Sequence, residues 1–449
     1  MTSALPVSSV IEQHHPAITE IACDHRMVWV GAVGLLLLGP LAFGATEPWS
    51  QFVLECGAAC LFASWAIRET RSQVMTVRWA PPFLPMLAFA LLVLLQLAFH
   101  LTTSTERTLS SGLLFTAYGT LCFLLIQSLR RPQQLEWAAR MISVYGATLA
   151  LFGLVQGFTS NGKLYWLRKP YYEGWIYGPY VNHNHYAGLM EMLTPIPLVI
   201  ALSPRSSVKN RWLAGIAAAV MATSILFSAS RGGMMAFAGE LLLLALLVAR
   251  HVGRRKTLVM LFAFVCLIAL LAAWLGLPQI VDRFATFHSQ ARTEISDGMR
   301  INIDRDALKM IPQRPLLGWG LGSFVDVYPQ FRSFYTNLII DHAHNDYLEL
   351  LVETGVAGFA IAAWFLLAVC ASAWTKLRQS EWDTVSLAAL ASVAAVAGVL
   401  IHGLVDFNLQ IPANAAIFYG LCTVAAINLD PGRGTPRRER SRDLRPARG

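Results

Sequence analysis

The fold is decided by residues 341–374, DHAHNDYLELLVETGVAGFAIAAWFLLAVCASAW, where a polar cluster leads directly into a long apolar run. An apolar run of this length fits a helix that crosses a bilayer. Ionisable groups at the end of a membrane-spanning helix cost free energy, so residues 341–347 are a candidate functional site. Comparable apolar runs recur along the whole chain.

The composition agrees with a membrane protein. Of the 449 residues, 55% are hydrophobic and only 14% are charged, whereas soluble proteins carry roughly 25% charged residues. A bilayer admits only helices or closed barrels, and alternating strand patterns are absent from the sequence. We therefore predict an all-α polytopic membrane protein with about twelve transmembrane helices. They are expected near residues 27–44, 50–67, 82–100, 110–128, 137–157, 184–203, 211–228, 232–250, 257–276, 345–374, 385–405 and 411–428.

The charge pattern predicts the orientation of the chain. A net charge of +8 could suggest a nucleic-acid partner, but Lys and Arg gather in alternate short loops, as topology signals do. We therefore expect no nucleic acid and place both termini in the cytoplasm. The first apolar run is expected to be a span rather than a cleavable signal. The expected division is a cytoplasmic tail at 1–26, helices over 27–276, a large periplasmic loop at 277–344, helices over 345–428 and an Arg-rich cytoplasmic tail at 429–449.

Two outer segments are longer than a connector needs. Residues 158–183 are rich in Tyr and Trp, which could stack on sugar rings or form an interfacial aromatic belt. Residues 277–344 form the one large extramembrane piece, with a predicted helix near 299–311 followed by a glycine-rich turn at 318–322. Long loops in compact proteins are usually functional or disordered, and the regular pattern here favours function.

Arg231 is the strongest single candidate for a residue that contacts a ligand. It lies in a tight turn between two apolar runs, and Gly232 and Gly233 beside it allow a ligand or another backbone to approach closely. The planar guanidinium suits phosphate oxygens and stays charged. The alternative is an arginine that caps a preceding helix or extends to lipid headgroups. Physical chemistry leaves both open.

His344 is a candidate general base. We expect it at the first turn of a span beside Asn345, a possible helix cap. The partial positive charge of a helix N-terminus favours a neutral imidazole, which can accept a proton. Asp341, Asp346 or Glu349 could orient its other nitrogen. The alternative is a histidine that is satisfied at the lipid interface.

Two histidine pairs, His183/His185 and His342/His344, raise the question of a metal site. Their spacing is not diagnostic and they lie on different segments, so we expect no metal and no cofactor. His183 and His185 are better explained as polar packing residues or substrate contacts. The sequence also lacks a nucleotide-binding phosphate loop and a Gly-X-Ser-X-Gly nucleophile turn.

Three short motifs follow one another along the chain. The first is a turn, Ser230-Arg231-Gly232-Gly233. The second is Arg300 ahead of the run Pro315-Leu316-Leu317-Gly318-Trp319-Gly320-Leu321-Gly322. The third is His344-Asn345, nine residues, then Gly355 and Gly358. In this combination the chain resembles the O-antigen ligase superfamily, which also includes O-antigen and exopolysaccharide polymerases.

The resemblance implies a C-type glycosyltransferase-like architecture in the bacterial inner membrane. It further implies a metal-independent, inverting periplasmic transfer of a glycan from undecaprenyl pyrophosphate to an acceptor hydroxyl. His344 would be the base, and Arg231 and Arg300 would hold the departing pyrophosphate. Ligation to lipid A–core is slightly preferred over polymerisation. Further substrate contacts are expected from Arg305, His342, Asn345, Asp341, Arg332, His183 and His185.

A transporter or flippase of lipid-linked sugars is the alternative from a different class. It predicts ionisable groups that face a cavity at the bilayer midplane. The predicted spans are almost free of central charges, with Glu55 and Glu240 the chief exceptions, and the polar clusters lie at one rim. This distribution favours an enzyme with its site at one end of the helices over a transporter.

Overall fold

The computed structural model describes residues 25–72, 77–170, 175–285, 297–378 and 382–429. Within these ranges the regular elements are helices, joined by turns and two isolated β-bridges. Nine helices of the described chain are long and apolar enough to cross a membrane, and three shorter ones are also apolar. The prediction of a polytopic helical membrane protein is therefore confirmed, and the number of spans stays a prediction.

The longer helices are α1 Arg26–Leu41, α2 Pro48–Arg71, α3 Phe83–Ala98, α4 Thr105–Ser128, α5 Pro132–Thr159, α6 His183–Leu193, α7 Pro195–Leu202, α8 Val208–Ser228, α9 Arg231–Val252, α10 Arg254–Ala285, α11 Asp297–Met310, α12 Asp346–Arg378, α13 Thr384–His402 and α14 Pro412–Ala426. Within the bundle, α13 packs against α9 and α14, and α8 packs against α5 and α7.

The α6–α7 rod lies at the centre of the bundle. Over its most apolar window it is 89% buried, far more than any other candidate span. Pro195 and Pro197 interrupt its backbone hydrogen bonding near the middle, because proline has no N–H. The polar residues at its start are shielded by neighbouring helices and meet other protein groups.

Helix α12 is kinked at Gly355, whose backbone lies at φ 63° and ψ −168°. The kink leaves backbone N–H and C=O groups of α12 without partners inside the helix. The run that begins at Pro315 forms hydrogen bonds with them. Trp319 N–H donates to Val352 O at 2.9 Å, and Val356 N–H donates to Pro315 O at 2.9 Å. The run that follows α11 is thereby fixed along the first turns of α12.

The two backbones meet so closely that only glycine fits. A Cβ on Gly355 would lie 2.4 Å from the carbonyl carbon of Leu316, and one on Gly318 would lie 2.3 Å from the carbonyl carbon of Glu353. Gly318 and Gly355 therefore allow the glycine-rich run to dock on the kink.

The predicted large loop contains ordered, packed structure. Its beginning continues α10 beyond Gly276 as far as Ala285, and α11 (Asp297–Met310) covers the region where a helix was expected. A small apolar core joins α11 to a one-turn helix at Phe324–Val327 and to α12. It contains Ile303, Ala307, Met310, Phe324, Val327, Tyr328, Ile340, Ala343 and Val352.

The aromatic segment after α5 is mostly packed into the protein. Tyr180 donates to Asn414 Oδ1 at 2.8 Å, and Tyr165 donates to Leu41 O at 2.6 Å. Trp175 rests on the His183 ring with centroids 4.6 Å apart. Tyr171 and Tyr172 lie outside the described residues. Tyr177 and Tyr180 are buried and stabilise the fold, whereas Trp175 contacts a histidine at the start of α6.

Candidate functional site

Four distant segments meet at one end of the bundle. They are the first residues of α6, α9 and α12, and the connection from α13 to α14. Asp346 N–H donates to Gly403 O at 2.9 Å, and Asn345 Nδ2 donates to Leu404 O at 3.2 Å. From the α14 side, Asn414 Nδ2 donates to His185 O at 2.9 Å. These bonds join the start of α12 to the connection between α13 and α14, and the start of α6 to α14.

Asp406 lies at the centre of this arrangement and is buried. Its Oδ1 is 3.6 Å from His344 Nδ1 and 3.8 Å from His185 Nε2, and its Oδ2 is 3.6 Å from Arg300 Nη1. These separations exceed a hydrogen bond but act strongly in a buried setting. Burial opposes charge on the carboxylate, yet Arg300 and the two histidines hold the pKa of Asp406 well below its usual range. The site therefore contains a buried anion.

Four buried polar atoms of Asp406 and its neighbours have no hydrogen-bond partner among the described residues. They are His185 Nε2, Arg300 Nε, His344 Nδ1 and Asp406 Oδ2. Buried polar groups are normally paired, and departures from this rule concentrate at functional sites. We call the residues His185, Arg300, His344 and Asp406 the Asp406 cluster.

The ring of Phe407 stands among three imidazoles. Its centroid lies 4.6 Å from that of His185, 4.4 Å from that of His342 and 4.6 Å from that of His344. His185 of the first sequence pair thus meets both histidines of the second pair, but around an apolar ring. Among the described residues, no group of three or more His, Cys, Asp or Glu side chains is arranged to hold a metal ion.

His342 and His344 have different partners. His342 Nδ1 is 2.7 Å from Glu349 Oε1, and Glu349 Oε2 accepts from Ala343 N–H at 2.7 Å. Burial lowers the pKa of His342, but the Glu349 carboxylate outweighs that effect and raises the pKa to about 9. Glu349 therefore pairs with His342, and the carboxylate beside His344 is Asp406.

The position of His344 differs from the expected first helical turn. Helix α12 begins at Asp346, and Asn345 is its cap, with Oδ1 accepting from Tyr347 N–H and Leu348 N–H at 3.1 Å each. His344 precedes the cap with a left-handed backbone at φ 55°. Non-glycine residues in this region are strained and are found preferentially at functional sites.

Arg231 begins α9 and is exposed at the same end of the bundle. Ser230 Oγ caps the helix by accepting from Gly233 N–H at 3.1 Å. A Cβ on Gly232 would lie 2.9 Å from His402 Nε2 and 2.9 Å from Val405 Cγ2. The glycine beside Arg231 thus brings it next to the segment that contains Asp406.

The remaining candidates lie further out. Arg305 on α11, Arg332 and Asp341 are exposed, and the described residues show no contact between Arg305 or Arg332 and the Asp406 cluster. Arg305 follows Arg300 by five residues, which turns it about 140° around the helix, to a different face. Arg300 itself donates from Nη1 to Val405 O at 2.8 Å.

Sequence reasoning missed Asp406 and a buried pair behind it. Asp406 is the one acidic residue between the predicted last two spans, and that placement is the signal that could have found it. His402 Nδ1 is 3.0 Å from Glu191 Oε1, and both side chains are buried. Glu191 thus joins Glu240 as a fully buried carboxyl group in the bundle.

Comparison with known proteins agrees with these motifs. Residues 216–363 match the O-antigen ligase family model, which confirms the resemblance over that stretch. The matched part contains Arg231, Arg300 and His344, whereas His185 and Asp406 lie outside it. No curated protein matches the chain.

Proposed function

We propose that the chain is a membrane enzyme of the O-antigen ligase or polymerase type, which the match over residues 216–363 supports, and that it transfers a glycan from undecaprenyl pyrophosphate to an acceptor hydroxyl with inversion at the anomeric carbon. The observation that carries the proposal is the position of the Asp406 carboxylate. It lies between His344, a potential base, and Arg300, a fixed cation. A proton acceptor and an anion-binding group thus stand at one site.

In this proposal His344 takes the acceptor proton. Its Nδ1 faces Asp406, so Nε2 is the nitrogen left for the acceptor hydroxyl. As the acceptor oxygen bonds to the anomeric carbon, the bond from that carbon to the phosphate oxygen breaks. Undecaprenyl pyrophosphate leaves with the electron pair, and the acceptor proton moves to Nε2. The ionised Asp406 stabilises the imidazolium that results.

Cationic groups of the chain would hold the pyrophosphate as its charge grows. Arg300 offers its buried Nε, and Arg231 lies at the nearby start of α9. His342 adds no net charge to this set, because the Glu349 carboxylate that outweighs burial and raises the pKa of His342 to about 9 also balances the imidazolium, so the set consists of the two arginines. Such a cationic set would stabilise the leaving group without a divalent metal ion.

The preferred acceptor is lipid A–core in the bacterial inner membrane, with the site on the periplasmic side. Both termini would then be cytoplasmic. The alternative acceptor, a second lipid-linked repeat, would make the protein a polymerase that uses the same donor. His183, Asp341, Asn345, Arg305 and Arg332 remain proposed contacts to the substrates.

A gene deletion distinguishes these acceptors through the surface glycans of the host. The ligase proposal predicts that polymer disappears from lipid A–core while long polymer persists on the undecaprenyl carrier. Single-repeat products would instead indicate a missing polymerase. Complementation with the intact gene must restore the original glycan pattern. Unchanged lipid-linked and surface glycans in the deletion strain would contradict both.

A further inference from the structure

A cavity lies at the far end of helices α9, α12 and α13 from the Asp406 cluster. Its volume is about 250 Å³, and its walls come from α9, α12 and α13. Helices α9 and α12 begin at the cluster, and α13 ends there. With a rise of 1.5 Å per residue, a 20-residue helix spans about 30 Å, so the two sites are separated by roughly one bilayer core.

The rim of this cavity is positively charged. Arg250 comes from the last turn of α9 and Arg378 from the end of α12, and both are exposed. The Arg250 guanidinium carbon lies 5.5 Å from the centroid of the Trp374 ring. None of the described residues that line the cavity is acidic. Two guanidinium groups therefore converge on one opening without a lining carboxylate to neutralise them.

The walls of the cavity are apolar and aromatic. Leu247, Leu387 and Leu390 line it, and Trp374 and Trp382 stand with the arginines. Indole rings favour the boundary between headgroups and acyl chains, where one side is apolar and the other is wet. Arginines at helix C-termini also complement the helix dipole, but that effect does not explain a mostly apolar cavity beside them.

We propose that this cavity binds an anionic phospholipid. Its phosphate would lie between Arg250 and Arg378, and the start of an acyl chain would lie against Leu247 and Leu387. Guanidinium groups suit phosphate oxygens because they offer paired N–H donors. The charge pattern of the sequence assigns this end to the cytoplasmic leaflet, where anionic lipids attract arginine. The site is distinct from the proposed glycan transfer and does not depend on it.

Native mass spectrometry of the full-length protein in detergent tests this site directly. Phosphatidylglycerol and phosphatidylcholine with identical acyl chains are titrated separately, and inorganic phosphate is added as a soluble competitor. The double variant Arg250→Gln/Arg378→Gln removes the charged rim. Arg254→Gln/Arg255→Gln is the matched control, since these arginines lie at the same end of the bundle but outside the cavity.

We expect phosphatidylglycerol to bind in preference to phosphatidylcholine, and each rim arginine removed to weaken binding about fivefold. The control variant should bind like the wild type, and inorganic phosphate should not displace the lipid. Leu387→Trp, which fills the cavity but keeps both arginines, should also exclude the lipid. If the double variant does not fold, Leu387→Trp alone tests whether the lipid occupies the cavity.

Three results would overturn the proposal. The first is undiminished lipid binding when the rim arginines are replaced or the cavity is filled. The second is an equal loss in the control variant, which would mean a general attraction to positive surface charge. The third is displacement by inorganic phosphate, which would show that the cavity takes a soluble anion.

Discussion

Asp406 divides its two carboxylate oxygens between different partners. Oδ1 faces the imidazoles of His344 and His185, whereas Oδ2 faces Arg300. One charge can therefore orient the proposed base and fix the proposed phosphate ligand at the same time. Asparagine would keep the shape of this side chain and remove its charge, which makes it the informative replacement.

Asp406→Asn should lower the rate of glycan transfer by roughly 100-fold, a typical contribution of a positioned acid–base group. The physical reason is that a neutral amide cannot stabilise the imidazolium of His344. Turnover is measured with purified protein under saturating donor. Asp383→Asn is the matched control, because Asp383 caps α13 at the far end of the bundle and asparagine caps equally well. Wild-type turnover in Asp406→Asn would remove this residue from the mechanism.

His342 should make stability depend on pH. Its pKa is raised from 6.5 to about 9, because Glu349 outweighs the effect of burial. A raised pKa stabilises the fold fully below pH 6.5, and that contribution is lost as pH rises through about 9. The thermal unfolding midpoint of the wild type should therefore exceed that of His342→Gln most at low pH. Melting curves from pH 6 to about 10 test this, and a pH-independent difference would contradict it.

At the scale of elements, the kink in α12 couples the glycine-rich run to the start of the helix. The same hydrogen bonds that fill the break at Gly355 hold Pro315 and Trp319 in place. Because α11, with Arg300, leads directly into this run, the kink also anchors the segment that delivers the arginine. Gly355 of the third motif thus has a structural role, because it forms the kink on which this run docks.

Gly355→Ala should destabilise the protein by about 1–3 kcal/mol from backbone strain alone, since its φ/ψ region is essentially limited to glycine. The added Cβ also meets the Leu316 carbonyl carbon at 2.4 Å, which increases the loss. Gly34→Ala is the control, because nothing lies within 4 Å of its Cβ position in α1. Unfolding in detergent provides the measurement. Equal stability of the two variants would show that the docked run does not need the glycine.

At the scale of the whole molecule, local patterns predicted the helices but not the contacts between their ends. Apolar runs located the long helices, and a regular pattern located α11 within a few residues. Asp406 escaped notice because its importance comes from His344 and His185, which are distant in sequence. Burial of the α6–α7 rod was equally invisible, since hydropathy does not tell a central helix from a peripheral one.

The same reasoning explains the error about the partner of His344. Nearness in sequence favoured Asp341, Asp346 and Glu349, which all lie within a few residues of it. In the folded protein the carboxylate beside His344 is Asp406, from the connection between α13 and α14. Glu349 pairs with His342. Contacts of this kind depend on how whole helices pack, and a single sequence contains no direct record of them.

Transfer by full-length His344→Gln in liposomes tests the central claim most directly. Donor and acceptor lipids are supplied together, and product is compared with wild type and with Gln51→Ala, a change in α2, which packs on α1 and α4. The account predicts that transfer falls roughly 100-fold or more in His344→Gln, while donor binding persists through Arg231 and Arg300. Transfer at the wild-type rate by folded His344→Gln would contradict it.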